Sequence, residues 1–273
     1  SSACGTTTYR VGYYNRLYNA VIQTPATRAM LLRRIRTLMD RYLATNAASS
    51  PLETRFDAIG AQINAEAVVD RSRWGWPNGA DPYGFSGNIS AAQGLATLKT
   101  SFLAPRRTHF YTTHSVQNTT KPIGIGNNDN AGIPNTQVAT PVIQFGTIES
   151  QPVSGNSDEE YIELVNPGPD AVDMSAWVLR GVTGSFKFEA GTVIPAGNRI
   201  FVSRDVVAFR ARTVSPKANE NRHVVGPFSG YLSAYGDSLR LETETGTLIA
   251  QIQVPADSQA TPIALVITEI MSG

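Results

Sequence analysis

The stretch EYIELVNPGPDAVDMSAWVLRG, residues 160–181, reads as strand, turn and strand. EYIELVN (160–166) is dense in β-branched and aromatic residues, WVLRG (177–181) repeats that character, and NPGPD between them is a turn set by Pro167-Gly168. In this reading MSAWVL carries Trp177 from the second strand into a core. The carboxylates Asp158, Glu159 and Glu160 lead into the first strand, and Glu163 alternates outward within it. Paired carboxylates do acid–base work or hold calcium, but a charged rim on a sheet surface is their commoner role.

The pattern extends on both sides. VIQFGTI (142–148), SFKFEAG (185–191), RIFVS (199–203), DSLRLET (237–243) and GTLIAQIQV (246–254) are further strand-like runs, separated by PAGN, AYGD and ETGT. Leu239 and Leu241 alternate with polar neighbours, as a half-buried strand requires. SAYGDSLRL reads as a hairpin turned at Gly236-Asp237. Short strands at this spacing imply an immunoglobulin-like β-sandwich, without the cysteine pair of antibody domains.

Upstream the period changes. From Pro25 to Leu43, Leu31, Ile35, Leu38 and Tyr42 fall on one helical face, with Thr24 as N-cap and Arg28, Arg33, Arg34 and Arg41 on the wet side. A second helix starts near Ser50, with Pro51 first and Leu52, Phe56, Ile59 and Ile63 facing inward. A shorter helix covers Tyr13 to Ile22. A third long one follows Ser90, buries Leu95, Leu98 and Phe102, and bends or ends at Pro105. Residues 116–140, polar and rich in Asn and Gly, read as a linker.

The 273 residues suit two domains and a core large enough to need no disulfide. Cys4, the one cysteine, can close no internal bridge and excludes multi-cysteine zinc clusters. No apolar run reaches membrane-spanning length, and the first residues hold no signal-peptide core. Few lysines and many Thr, Ser, Asn and Gly lean towards a secreted or surface-exposed protein. Charge is uneven: residues 1–115 carry 13 basic against 6 acidic side chains, a net +7, and residues 116–273 carry 10 against 16, a net −6. The acidic half argues against nucleic acid, which needs clustered positive charge.

No catalytic constellation is visible. His109, His114 and His223 stand in no metalloprotease spacing, although His109 and His114, five apart, are a candidate metal pair or a packing element. No GxSxG elbow and no phosphate loop occurs. GNNDN, including residues 127–130, faintly resembles a calcium loop but lacks the spacing and closing glutamate of an EF-hand. The loop WGWPNGADPYGFSGN (74–88) offers Trp74, Trp76, Tyr83 and Phe85 as candidate ligand contacts: exposed aromatic faces stack on sugars, and they equally seal a helical core.

Two resemblances follow from these residues. EYIELVNPGPDAVDMSAWVLRG, FEAGTVIPAGNRIFVSRDVVAFRAR and GPFSGYLSAYGDSLRLETETGTLI, within residues 159–252, resemble the lamin-tail domain, an immunoglobulin-like sandwich. NRLYNAVIQTPATRAMLLRRIRTLMDRYL, LETRFDAIGAQINAEAVVDRSRW and LKTSFLAPRR resemble the helical C-terminal end of bacterial spore-coat CotH-type kinase-like proteins. That second resemblance implies that the ATP-binding lysine and metal-binding aspartates lie upstream of Ser1, so no catalytic residue maps onto this chain. VITEIMSG (266–273) resembles the first strand of another lamin-tail domain.

The expected fold is thus α+β and multidomain: a helical bundle over 1–115, a linker over 116–140, a lamin-tail sandwich over 141–257, and a linker with a further first strand over 258–273. The expected function is a non-catalytic structural, adhesion or positioning module of a secreted or surface multidomain bacterial protein. A part of an ATP-dependent kinase and a glycan- or protein-binding module are the alternatives. No cofactor or metal is assigned, and a protein or cell-surface component is the expected partner.

Overall fold

The computed structural model describes residues 16–74, 89–126, 128–181, 184–233 and 235–256. The chain forms two units, residues 1–137 and 138–273. Helices occupy the first and β-sheets the second.

In the first unit, α1 (Arg16–Gln23) is followed by α2 (Pro25–Leu38). Thr24 precedes Pro25 in an extended conformation, and the proline, with no N–H to satisfy, opens the helix. α2 widens into a π-helical turn, Met39–Leu43. Arg107 caps that end: its guanidinium donates to the carbonyls of Ala44 (3.0 Å) and Leu43 (3.1 Å) and to the Glu53 carboxylate (2.6 Å). Cationic donors at a helix C-terminus meet the carbonyls left over there.

The helix α3 (Pro51–Trp74) starts at the Ser50–Pro51 signal, where Ser50 Oγ accepts the Glu53 N–H. Ser90 and Gln93 form a reciprocal capping box at the start of α4 (Ala91–Thr97). A π turn, Leu98–Leu103, then runs into α5 (Ala104–Thr108) and a third π turn, His109–Thr113. Pro105 therefore does not end the helical run. It sits at the start of α5, where a π turn gives way to an α turn and its missing N–H breaks no regular bond.

The apolar faces read from the sequence are only partly covered. Leu31 and Ile35 are half-buried, but Leu38, Tyr42, Ile59, Ile63 and Phe102 are exposed. Arg33, expected in water, is 3% exposed and donates to the Asn135 carbonyl at 2.7 Å. Arg36 bonds the Pro134 carbonyl (2.9 Å), Thr136 Oγ1 (2.6 Å) and Asp40 (3.0 Å). The segment expected as a linker is thus tied onto α2 by two buried arginines as far as Thr136. Its own ends pair through Val116 N–H to Ile133 O (2.9 Å), and Asn130, fully buried, bonds the carbonyls of Ser115 and Asn118. Its polar composition is explained by these bonds: asparagines replace a ladder of backbone partners.

The second unit is a two-sheet sandwich. One sheet has the order β1 (Gln144–Glu149), β2 (Tyr161–Val165), β7 (Arg199–Ser203), β8 (Val224–Val225). The other has the order β10 (Leu248–Val254), β9 (Asp237–Glu242), β4 (Val178–Arg180), β5 (Ser185–Lys187), and β3 (Val172–Asp173) pairs with β6 (Val193–Ile194) in a small ribbon. All pairs are antiparallel except β7–β8. The core between the sheets includes Ile162, Leu164, Trp177, Leu179, Ile200, Val202, Leu239 and Leu241. These alternate along their strands, as the pleat demands. β1 and β10, the long edge strands, lie against one another, and the other edges, β5 and β8, have three and two residues.

The helix α6 (Val206–Ala211) covers the outer face of the first sheet. Its Phe209 packs edge-on to Tyr161 and tilted against Phe201, with ring centres 5.5 Å apart in both cases. Asp205 caps it by accepting the N–H groups of Val207 and Ala208. The turn read at ETGT is present, but the hairpin read at Gly236-Asp237 is not. The hairpin turn is Thr243–Thr247, between β9 and β10, with Gly246 in the left-handed region at φ +82°. Gly236 instead precedes β9 and lies against the backbone of Val254 and Ala256.

Candidate functional site

The aromatic loop is reached only at its first residue. Trp74 closes α3 and is 74% exposed; Trp76, Tyr83 and Phe85 lie outside the described residues.

The carboxylates before β2 are brought together, but each is held by the sandwich itself. Asp158 pairs with Arg204 (3.1 Å). Glu159 lies 3.8 Å from Arg212, and Glu160 accepts the Leu232 N–H at 2.8 Å. Burial pushes the Glu160 carboxyl above the usual carboxylate range, opposed by that N–H and by Arg204. Glu163 does alternate to the outer face of its sheet, opposite Ile162 and Leu164, but it is not solvated: it is 5% exposed, takes Arg199 at 2.7 Å and accepts the Thr147 N–H at 2.8 Å. That second bond fills the bulge in β1 between Phe145 and Ile148, where the ladder to β2 is interrupted. Arg212, 4% exposed, donates to the carbonyls of Glu159 (2.9 Å) and Pro216 (3.0 Å), approaches Glu149 (3.6 Å), and lies over the Tyr161 ring. Among the described residues, no buried side-chain nitrogen or oxygen lacks a partner.

The histidines of the helical unit border a cleft of about 300 Å³ whose lining includes Ile22, Leu31, Ile35, His109, His114 and Asp129. In an α-helix, side chains five apart point in different directions, but the π turn bonds His114 N–H to His109 O at 3.0 Å and stacks the two rings edge-on, 4.3 Å apart. His114 Nδ1 accepts the Ala131 N–H at 3.0 Å, so the neutral ring carries its proton on Nε2. Burial lowers the pKa of both rings; His114 and Arg106 lower His109 further, and Lys121 acts on both. Asp129 is spent on the Gly126 N–H (2.6 Å), and Asn130 on its own loop. Asn127 lies outside the described residues. Among the described residues no three His, Cys, Asp or Glu side chains gather as a metal site, and no helix is long and apolar enough to cross a membrane.

A second cavity, about 220 Å³, escaped the sequence reading. It lies in the sandwich unit beside α6 and is lined by Arg210, Lys217, Asn219, Asn221 and Arg222 above Phe209 and Val224. The signal was present but diluted. Residues 199–222 hold six basic side chains (Arg199, Arg204, Arg210, Arg212, Lys217, Arg222) against two acidic ones (Asp205, Glu220), a local +4 inside the half whose net charge is −6.

The chain has no match among curated proteins. Residues 136–256, the span of the sandwich, match the family model of the Lamin Tail Domain.

Proposed function

We propose that the chain is a non-catalytic structural and partner-positioning module of a secreted or surface-exposed multidomain bacterial protein. The observation that carries this reading is the fate of the carboxylates around β2. Asp158, Glu159, Glu160 and Glu163 gather at and before one strand, and each is engaged by an arginine or a backbone N–H of the same unit. Groups held this way fix strand ends; they are not poised to move protons. The lamin-tail match supports the same reading.

The test combines two measurements on material from the native source. Surface fractionation with an antibody to the sandwich should find the protein outside the cytoplasm and larger than 29.4 kDa. The 273-residue chain should show no ATP turnover with magnesium or manganese. A cytoplasmic protein with ATP turnover abolished by point mutation would overturn the reading.

A kinase-like parent is favoured by one feature of the helical unit. Ile59, Ile63, Val68 and Val69 of α3 are exposed, as they would be on helices that belong to a larger domain. In that case the catalytic lysine and aspartates stand upstream, and activity appears only with those residues present. A glycan-binding role is favoured by the exposed Trp74 face. Affinity for a glycan array that falls in Trp74→Ala would establish it.

A further inference from the structure

We propose that the cavity beside α6 is a binding site for a phosphate or sulfate group. Three cations converge on it from separate pieces of chain: Arg210 from the last turn of α6, Lys217 from the following loop, and Arg222 from the approach to β8. Its lining is otherwise rich in amides, with Asn219 and Asn221 both in the left-handed region at φ +65° and +54°. Among the described residues, the side chains of Arg210, Asn219 and Asn221 make no hydrogen bond or ion pair. A guanidinium fork, an ammonium group and two amides supply the donors that a tetrahedral oxyanion takes.

The one acid nearby is already committed. Glu220 accepts Ser215 Oγ at 2.9 Å and Arg222 Nε at 3.2 Å, and those bonds, with the Lys217 N–H, keep its pKa below the usual range. It offsets Arg222 and leaves the charges of Arg210 and Lys217 in excess. The helix C-terminus, which by itself disfavours an anion, is partly satisfied within the chain. The Phe209 carbonyl accepts Arg212 N–H (3.4 Å) and the Arg210 carbonyl accepts Ala218 N–H (3.3 Å), so two last-turn acceptors are occupied. The loop is preformed. Besides the Ala218 bond, Pro216 O is pinned by the buried Arg212, and His223 O by Phe201 N–H at 2.8 Å. A ligand therefore meets an open site on an ordered loop and need not order a free one.

The experiment is an amide NMR titration of the full chain with sodium phosphate, then sulfate, with chloride adjusted to hold ionic strength constant. Saturable shifts confined to residues 210–224 are expected. The double variant Arg210→Gln/Lys217→Gln should weaken binding by about tenfold or more, while Lys187→Gln on β5 leaves it unchanged. Both cations are exposed, and the variant's spectrum reports directly whether the sandwich is intact. Glu220→Gln is the independent arm: removing the competing carboxylate should tighten binding. Methyl phosphate binding as tightly as inorganic phosphate identifies a group carried on a larger molecule; binding of the inorganic ion alone identifies the free anion. Linear shifts spread over all basic residues, or an unchanged affinity in the double variant, would overturn the proposal.

Discussion

Arg212 shows how much of the sandwich rests on one side chain. Its guanidinium satisfies two backbone carbonyls and faces two glutamates while almost wholly out of water. Removing one partner of a buried ionic group leaves the others desolvated and unpaired, which costs more than the pair contributes. Arg212→Ala should therefore lower the unfolding free energy of the sandwich by about 3 kcal/mol or more, measured by urea denaturation. Arg212→Lys, which keeps the charge but loses the planar fork, should fall between. Two glycines separate conformational cost from steric cost. At Gly246 (φ +82°) an added Cβ meets nothing within 4 Å, so Gly246→Ala should cost only about 1–2 kcal/mol for the left-handed backbone. At Gly181 (φ +114°) the same Cβ would stand 1.9 Å from the Ser238 carbonyl oxygen on β9. That clash forces β4 and β9 apart, and Gly181→Ala should cost at least about 3 kcal/mol in the same measurement.

Among the elements, strands and helix starts were the most legible. All seven strand-like runs contain strands, and Thr24-Pro25, Ser50-Pro51 and Ser90 each open a helix, because caps and alternation are local properties of the chain. What the sequence hid depends on distant partners. Arg33 looked solvated because nothing local shows that the Asn135 carbonyl, 102 residues away, will meet it. Glu163 alternates outward as read, but its burial was hidden because strand alternation does not reveal a bulge that needs a carboxylate to fill it. The β8 pairing and the basic cavity depend on how the loop after α6 returns to β7. The 115–136 segment also carries a pH dependence. It is fastened to the end of the helical run by the neutral His114 ring, whose pKa lies below the ordinary 6.5 through burial and Lys121. A base with a lowered folded-state pKa binds fewer protons folded than unfolded, so its stabilisation is complete above pH 6.5 and is lost as pH falls through the folded value. Arg106 and Lys121 add positive charge near this histidine pair, and Arg28 and Asp129 are the charged residues on the same cleft. Thermal melts should show the helical unit losing stability below about pH 6.5, and His114→Gln, which can still accept the Ala131 N–H but does not titrate, should flatten that loss.

For the molecule as a whole, the two units are held by different means. The sandwich has a continuous apolar core whose members all fall between Ile143 and Val254. The buried apolar residues described in the helical unit are Met39, Leu43, Leu103 and Ile133, and much of its fastening is done by arginines. Residues 138–256 produced alone should therefore fold and melt in one cooperative transition, with calorimetric and van't Hoff enthalpies in agreement. In the whole chain the helical unit should exchange its amide hydrogens faster than the sandwich core.

The placing of the sandwich edges bears on what happens when many copies are crowded together. Unpaired strand edges are templates on which other chains can grow into fibrils. Here the two long edge strands, β1 and β10, shelter each other, and the other sheet edges present only the short β5 and β8. Fewer backbone groups are then open to a passing strand than on two free long edges. The native sandwich should stay monodisperse and thioflavin-negative under agitation at millimolar concentration.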